Sequence, residues 1–199
     1  MVIIGVTGNS GAGKDTVSEI LKNELDAVII DADTIVKENQ APGKEYYQKI
    51  VDLFGKNILE KDRNLNRKAL ANEIFKSEEK RNNLNKLTFE CVQKEVEDIL
   101  KENEDKEYII LNFPLLYEGN FDKSCKYVVA VTADEDTKIK RITIRDRLSI
   151  SSARQRIESQ KSEEFYKSHA DFIIDNSCKV NYSDLRQKVS EVAKKIKED

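Results

Sequence analysis

The 199-residue sequence predicts an α/β fold, a five-stranded parallel sheet with flanking helices and an inserted helical lobe. Three observations carry this reading. Short apolar runs alternate with helical patterns, as in a parallel sheet covered on both faces. A glycine-rich loop, Gly8-Asn9-Ser10-Gly11-Ala12-Gly13-Lys14-Asp15-Thr16, separates the first strand from the first helix. From about 44 to 104, strand-like runs vanish and amphipathic helical patterns replace them.

In order, Val2-Ile3-Ile4-Gly5-Val6 lies in a β-rich run over residues 2–7. Val17, Ile20, Leu21 and Leu25 then recur at helical spacing. Val28-Ile29-Ile30 is a second strand, ending in Asp31-Ala32-Asp33, and Pro42-Gly43 marks a turn. Within the insertion, Leu84, Leu87, Cys91, Val92, Val96, Ile99 and Leu100 share one helical face. Tyr108-Ile109-Ile110-Leu111 is the third strand, running into Asn112-Phe113-Pro114. Tyr127-Val128-Val129-Ala130-Val131 is the fourth. Charged helical stretches follow at about 135–147 and 151–165. Phe172-Ile173-Ile174 is the fifth strand, ending at Asp175-Asn176. Leu185, Val189, Val192, Ala193 and Ile196 form an amphipathic closing helix.

Composition bounds the function. Thirty-four Lys and Arg against 37 Asp and Glu leave a net charge of −3, and 36% of residues are charged. This describes a globular protein with a charged surface, and nothing global points to nucleic acid or a membrane. Cys91, Cys125 and Cys178 are widely spaced without metal-binding pattern and read as reduced, buried thiols. His169 stands alone, which argues against histidine-based catalysis. No apolar run is long enough to span a bilayer and no signal-peptide pattern opens the chain, so a cytoplasmic protein is expected.

In such sheets ligands bind beyond the carboxyl ends of the strands. The glycines at 8, 11 and 13 let the loop curl so that backbone N–H groups face a polyphosphate, which also sits on the helix N-terminus. Lys14 reaches the β- and γ-phosphates as a point charge. Asp33, two residues past a strand end, is placed to accept a proton from an attacking hydroxyl. Capping of the next helix by Asp31 or Asp33 is the competing reading, and spacing alone does not separate them. Lys138, Arg141 and Arg145 recur at i, i+3 and i+7, a stripe suited either to clamping phosphates or to solvation.

As a set, these residues resemble the dephospho-coenzyme A kinase family, a group of P-loop kinases. The resemblance rests on Gly8–Thr16 followed by Asp31-Ala32-Asp33, on Phe54-Gly55 with Ile58, and on Leu65-Asn66-Arg67 with Leu70 and Ile74-Phe75. It continues through Pro114-Leu115-Leu116-Tyr117-Glu118, Lys140-Arg141, Arg145-Asp146, Ala153, Arg156-Ile157 and Gln160, and ends at Ala170-Asp171-Phe172-Ile173-Ile174-Asp175-Asn176. It implies that ATP donates its γ-phosphate to the ribose 3′-hydroxyl of dephospho-coenzyme A, the last step of coenzyme A biosynthesis, with Mg²⁺ as metal. It further implies a nucleotide-binding core (1–43, 105–134 and 166–199), a helical substrate lobe (44–104) and a helical lid (135–165).

On this resemblance Lys14, Asp33 and Arg141 are catalytic, with Asp33 as base. Gly8, Gly11, Ala12, Gly13, Lys14, Asp15, Thr16, Arg145 and Asn176 contact the nucleotide, Asn176 on the adenine side. Asp33, Arg67, Pro114, Leu115 and Glu118 contact the acceptor. The implied protein is a monomer or small homo-oligomer that takes a small-molecule substrate.

The chain departs from the family pattern at three places. Asp15 stands where Ser or Thr normally ligates the metal. Asn112 stands at a position often acidic in related kinases. Thr88-Phe89 replaces a usual His-Pro. The first two departures leave the local charge unchanged, so Asp15 with Thr16 is expected to anchor Mg²⁺, although an extra anion beside the γ-phosphate is unfavourable unless the metal screens it. Two rival readings are a nucleoside or nucleotide kinase of similar fold and a degenerate, nucleotide-binding regulatory protein.

Overall fold

The computed structural model describes residues 1–177 and 180–199, so Cys178 lies outside the described residues. Two compact units are present, Met1–Ile30 with Glu104–Asp199, and Asp31–Asn103. The strands β1 (Val2–Thr7), β2 (Val28–Asp31), β3 (Tyr108–Asn112), β4 (Tyr127–Thr132) and β5 (Phe172–Asp175) form one sheet in the order β2-β3-β1-β4-β5. The registers are parallel, with Val6 opposite Asn112 of β3 and opposite Val129 of β4. The strand that follows β1 in the chain lies on one side of it, and β4 and β5 lie on the other. Such a divergence opens a crevice at the carboxyl ends of the central strands.

Every residue of β3 is buried, which is why its sequence is continuously apolar rather than alternating. Helices α1 (Lys14–Leu25) and α9 (Tyr182–Glu198) share a core with the sheet. Val17, Leu21, Val189 and Ala193 pack there with Ile4, Val6, Ile110 and Val131. Each fully buried aliphatic side chain of this kind contributes about 1.5–3 kcal/mol.

The helices α6 (Glu135–Asp146), α7 (Ile150–Glu158) and α8 (Glu163–His169) complete the first unit. The single stretch expected over 151–165 is therefore two helices. Ser162 stops continuity by accepting from Phe165 N–H, 3.1 Å away, as the N-cap of α8.

In the second unit, α2 (Ala32–Asn39), α3 (Glu45–Phe54), α4 (Arg67–Lys76) and α5 (Glu78–Glu102) surround Tyr46, Ile50, Ile58 and Leu70. Leu84, Leu87 and Cys91 of the predicted face pack on that cluster. The unit begins at Asp31, and α2 packs on α3 and α5 within it. Helix α5 runs unbroken for 25 residues. Thr88 within it donates to the Leu84 carbonyl, 2.8 Å away, and lies 2.6 Å from the Tyr46 hydroxyl. With its one proton committed to Leu84, Thr88 accepts, and Tyr46 is the donor.

Gly8 fixes how β1 leaves the sheet. Its φ is +139°, and a Cβ there would lie 2.1 Å from the carbonyl oxygen of Val131 in β4. The obstacle is backbone of a central strand and cannot yield. Gly8→Ala is expected to cost about 3 kcal/mol or more. Thermal unfolding should then show Tm lowered by about 6–12 °C.

Candidate active site

The loop after β1 ends on Gly13, the N-cap of α1, whose left-handed φ of +93° is open to glycine at little cost. A Cβ there would also strike the Asn176 side chain at 2.2 Å. Among the described residues no side chain caps α1. Its first-turn amides and the positive end of its dipole therefore face the loop's concavity, where an anion is favoured. Lys14, half-buried, is the first residue of that helix.

Two groups hold the loop from behind. Arg141 Nη1 donates to the carbonyls of Gly11 and Ala12, 3.1 Å each, and Nη2 to the carbonyl of Asn176 at 2.9 Å. Asn176 Nδ2 donates to the same Ala12 carbonyl at 2.8 Å. C=O and the following N–H point opposite ways across a trans peptide, so fixing the Ala12 carbonyl outward turns the Gly13 N–H inward. The structure thus brings together Gly8, Gly11, Ala12, Gly13, Lys14, Arg141 and Asn176. The contacts of Arg141 and Asn176 are with the loop's backbone, which sequence spacing alone does not disclose.

Two members of the predicted stripe sit differently. Lys138 is buried, with only 6% exposure, beneath the loop. Arg145 is exposed, and its Nε and Nη2 bond the Asp146 carboxylate at 2.8 and 2.9 Å. Asp146 also pairs with Arg156, and together the guanidinium groups hold its carboxyl below the usual range, Arg145 contributing most. The stripe is therefore graded from buried to exposed. Arg141, between them, bonds the loop carbonyls through its guanidinium.

Asp15 and Asn112 meet directly. Asn112 Nδ2 donates to Asp15 Oδ1 at 2.9 Å, joining the first turn of α1 to the end of β3. Asp15 and Thr16 are exposed and offer a carboxylate and a hydroxyl. Among the described residues no cluster of three or more His, Cys, Asp or Glu forms a metal cage. Mg²⁺ does not need one, since it keeps waters and takes one or two carboxylates together with substrate phosphates. This donor set fits that mode.

Past β3, the chain turns through Pro114–Asn120. Leu115 and Glu118 are exposed while Leu116 is fully buried. Tyr117 packs edge-on to Phe165 of α8, ring centres 5.1 Å apart. Burial pushes its phenol up to about 12, with Asp122, Asp171 and Cys125 adding to the shift. Burial likewise raises the thiols of Cys125 to about 12 and Cys91 to about 11, so neither is a nucleophile at neutral pH.

In the second unit, Asp31 caps α2 by accepting from Thr34 N–H at 2.8 Å. Asp33 lies in the first helical turn and is exposed. Asp33 and Arg67 line the same open cleft, of about 480 Å³, with Lys37 on the face of α2 one turn beyond Asp33. Val36, Leu65, Leu70 and Ile74 supply its apolar wall. The cleft thus sets a carboxylate and two cations beside an apolar wall. Sequence reading missed Lys37; its i+4 spacing from Asp33 was the available signal. It also read no role into Gln160 and Lys161, which bond the loop at Ser10 and Asn9.

A family profile described as Dephospho-CoA kinase matches residues 2–181. The dephospho-CoA kinase of Moorella thermoacetica is 40% identical over 167 residues, covering 82% of this chain and 78% of the relative. That of Carboxydothermus hydrogenoformans is 39% identical over 177 residues, covering 88% of this chain and 85% of the relative. A solved dephospho-CoA kinase structure from Campylobacter jejuni aligns over 98% of this chain and 97% of that one, with a TM-score of 0.68 and 28% identity. With its phosphate loop, its parallel sheet and these relatives along most of its length, the chain belongs to the dephospho-CoA kinase family and is an ATP-dependent kinase.

Proposed function

We propose that the chain transfers the γ-phosphate of ATP to the ribose 3′-hydroxyl of dephospho-coenzyme A, giving ADP and coenzyme A. The observation that carries this reading is the loop itself. The carbonyls of Gly11 and Ala12 are bonded to Arg141 and Asn176, and the loop runs into a helix N-terminus with no side-chain cap, in a chain that matches the family from residue 2 to 181. The cleft lined by Asp33, Lys37 and Arg67 supports an acceptor with a diphosphate and an apolar arm.

In this proposal the loop amides and Lys14 bind the β- and γ-phosphates. The acceptor oxygen forms a bond to the γ-phosphorus as the bond from γ-phosphorus to the β,γ-bridging oxygen breaks, and ADP leaves. Asp33 takes the hydroxyl proton. Arg141 shapes the loop and places a fixed positive charge beside the phosphates. Arg145 joins it by exchanging the Asp146 carboxylate for phosphate oxygen. Arg67 and Lys37 hold the acceptor's anionic groups, and Pro114, Leu115 and Glu118 flank it. The strand end at Asn176 borders the adenine side. Asp15, oriented by Asn112, and Thr16 would hold Mg²⁺, which when bound neutralises charge on the phosphates.

Three measurements test this reading. ADP release with dephospho-coenzyme A as sole acceptor should exceed that with nucleoside monophosphates by orders of magnitude; the reverse preference would make the protein a nucleotide kinase, and ATP binding without any transfer would make it a regulatory binder. Asp33→Asn should lower kcat about 10²-fold with little change in the KM for ATP, and near-normal turnover would remove Asp33 as base. Asp15→Asn should raise the Mg²⁺ concentration needed for half-maximal ATP binding, read by calorimetry, about 10-fold. An unchanged Mg²⁺ dependence would take Asp15 out of the metal site.

A further inference from the structure

The side chains of Arg141, Asn176 and Gln160 bond the backbone of the phosphate loop, and that of Gln160 has no assigned part in the reaction. We propose that Gln160 is a positioning residue for phosphoryl transfer. Its side-chain amide, at the junction of α7 and α8, clasps Ser10 and sets the curvature of the loop for the donor phosphates.

The contact is paired. Ser10 N–H donates to Gln160 Oε1 at 2.8 Å, and the neighbouring Asn9 Nδ2 donates to the Lys161 carbonyl at 3.0 Å. Two consecutive loop residues are thus tied to two consecutive junction residues. Asn9 is buried at 4% exposure, and its own carbonyl accepts from Ala12 N–H at 3.1 Å. The tie at 9–10 is therefore transmitted into the next turn of the loop.

Ser10 sits where the backbone has least restraint of its own. Gly11 follows it and Gly8 lies two residues before, both at positive φ. Arg141 and Asn176 act further along, on the carbonyls of Gly11 and Ala12. They leave the Asn9–Ser10 half of the loop to the junction. An aliphatic residue at 160 would leave the Ser10 amide without this acceptor.

The junction is itself held in place. Ser162 caps α8, and Lys161 Nζ lies over the Phe165 ring, 4.2 Å from its centre. Phe165 meets Tyr117 edge-on and stacks with His169 at 4.0 Å. The break between α7 and α8 consequently presents Gln160 from an anchored base, as a positioning group requires. Binding phosphate to a loop already curved avoids the ordering cost that a slack loop would incur on binding.

The test uses Gln160→Met, which keeps length and loses the accepting oxygen, beside Gln160→Glu, which keeps that oxygen. Amide exchange in the nucleotide-free protein should be about 10-fold faster at Ser10 in the Met variant and within about two-fold of the parent in the Glu variant. Calorimetric Kd for ATP should rise about 3- to 10-fold in the Met variant, the scale of one intramolecular hydrogen bond. The KM for dephospho-coenzyme A and the Tm should stay near the parent values. Unchanged ATP affinity, with or without faster exchange, overturns the proposal. Parallel weakening of ATP and acceptor with a lowered Tm overturns it too, because it marks a general structural role. ATP binding is measured without acceptor, so failure of the dephospho-coenzyme A reading would leave this outcome interpretable.

Discussion

The carbonyl oxygen of Ala12 accepts from both Arg141 and Asn176, and the donor end of the protein is organised around that one acceptor. An anion site made of backbone amides works only if the opposing carbonyls are turned away and satisfied, since each lies antiparallel to the amide that follows it. Arg141 reaches the loop from α6 and Asn176 from the end of β5, so the site's shape depends on elements more than 120 positions along the chain, a separation of 129 residues for the Arg141–Ala12 bond. The sheet order makes this possible, because it places β4 beside β1 and β5 beside β4. Fold and site are coupled here through side chains that need not touch the ligand.

The pairing of Asp15 with Asn112 shows a different economy of charge. A carboxylate at both positions would place two anions within hydrogen-bond distance of each other, a costly arrangement. A carboxylate at one and an amide at the other gives a bonded pair at 2.9 Å and a single negative charge. The amide orients that charge by donating one N–H to it. Two departures that look separate along the chain are thus one interaction in space.

Much of the fold was legible because it follows from patterns of hydrophobic spacing. Continuous apolar runs such as Tyr108–Leu111 signalled buried parallel strands, and the face from Leu84 to Leu100 signalled α5. The phosphate loop was legible because its chemistry is encoded within nine adjacent residues. What stayed hidden depended on contacts distant in sequence. Nothing in the spacing of Lys138, Arg141 and Arg145 states which will bond loop carbonyls, and they divide into buried, half-buried and exposed because α6 meets the loop at its first turns. The interruption between α7 and α8 was missed because polar residues in helical register look continuous until a serine cap and two loop contacts intervene. Asp31 and Asp33 were inseparable by spacing; the cap geometry assigns the helix end to Asp31 and leaves Asp33 to the cleft.

The Thr88-Phe89 pair has a mechanical consequence for the helical unit. Proline within a helix removes a backbone donor and crowds the preceding turn, which makes a joint. Here Thr88 bonds the turn behind it, Phe89 retains its N–H, and α5 continues through 25 residues as a rod about 37 Å long. The Tyr46 hydroxyl ties α3 to the middle of that rod. The unit therefore has a stiff spine where a proline would introduce a flexure, and any change of shape within it must come from the shorter helices and the turns around that spine.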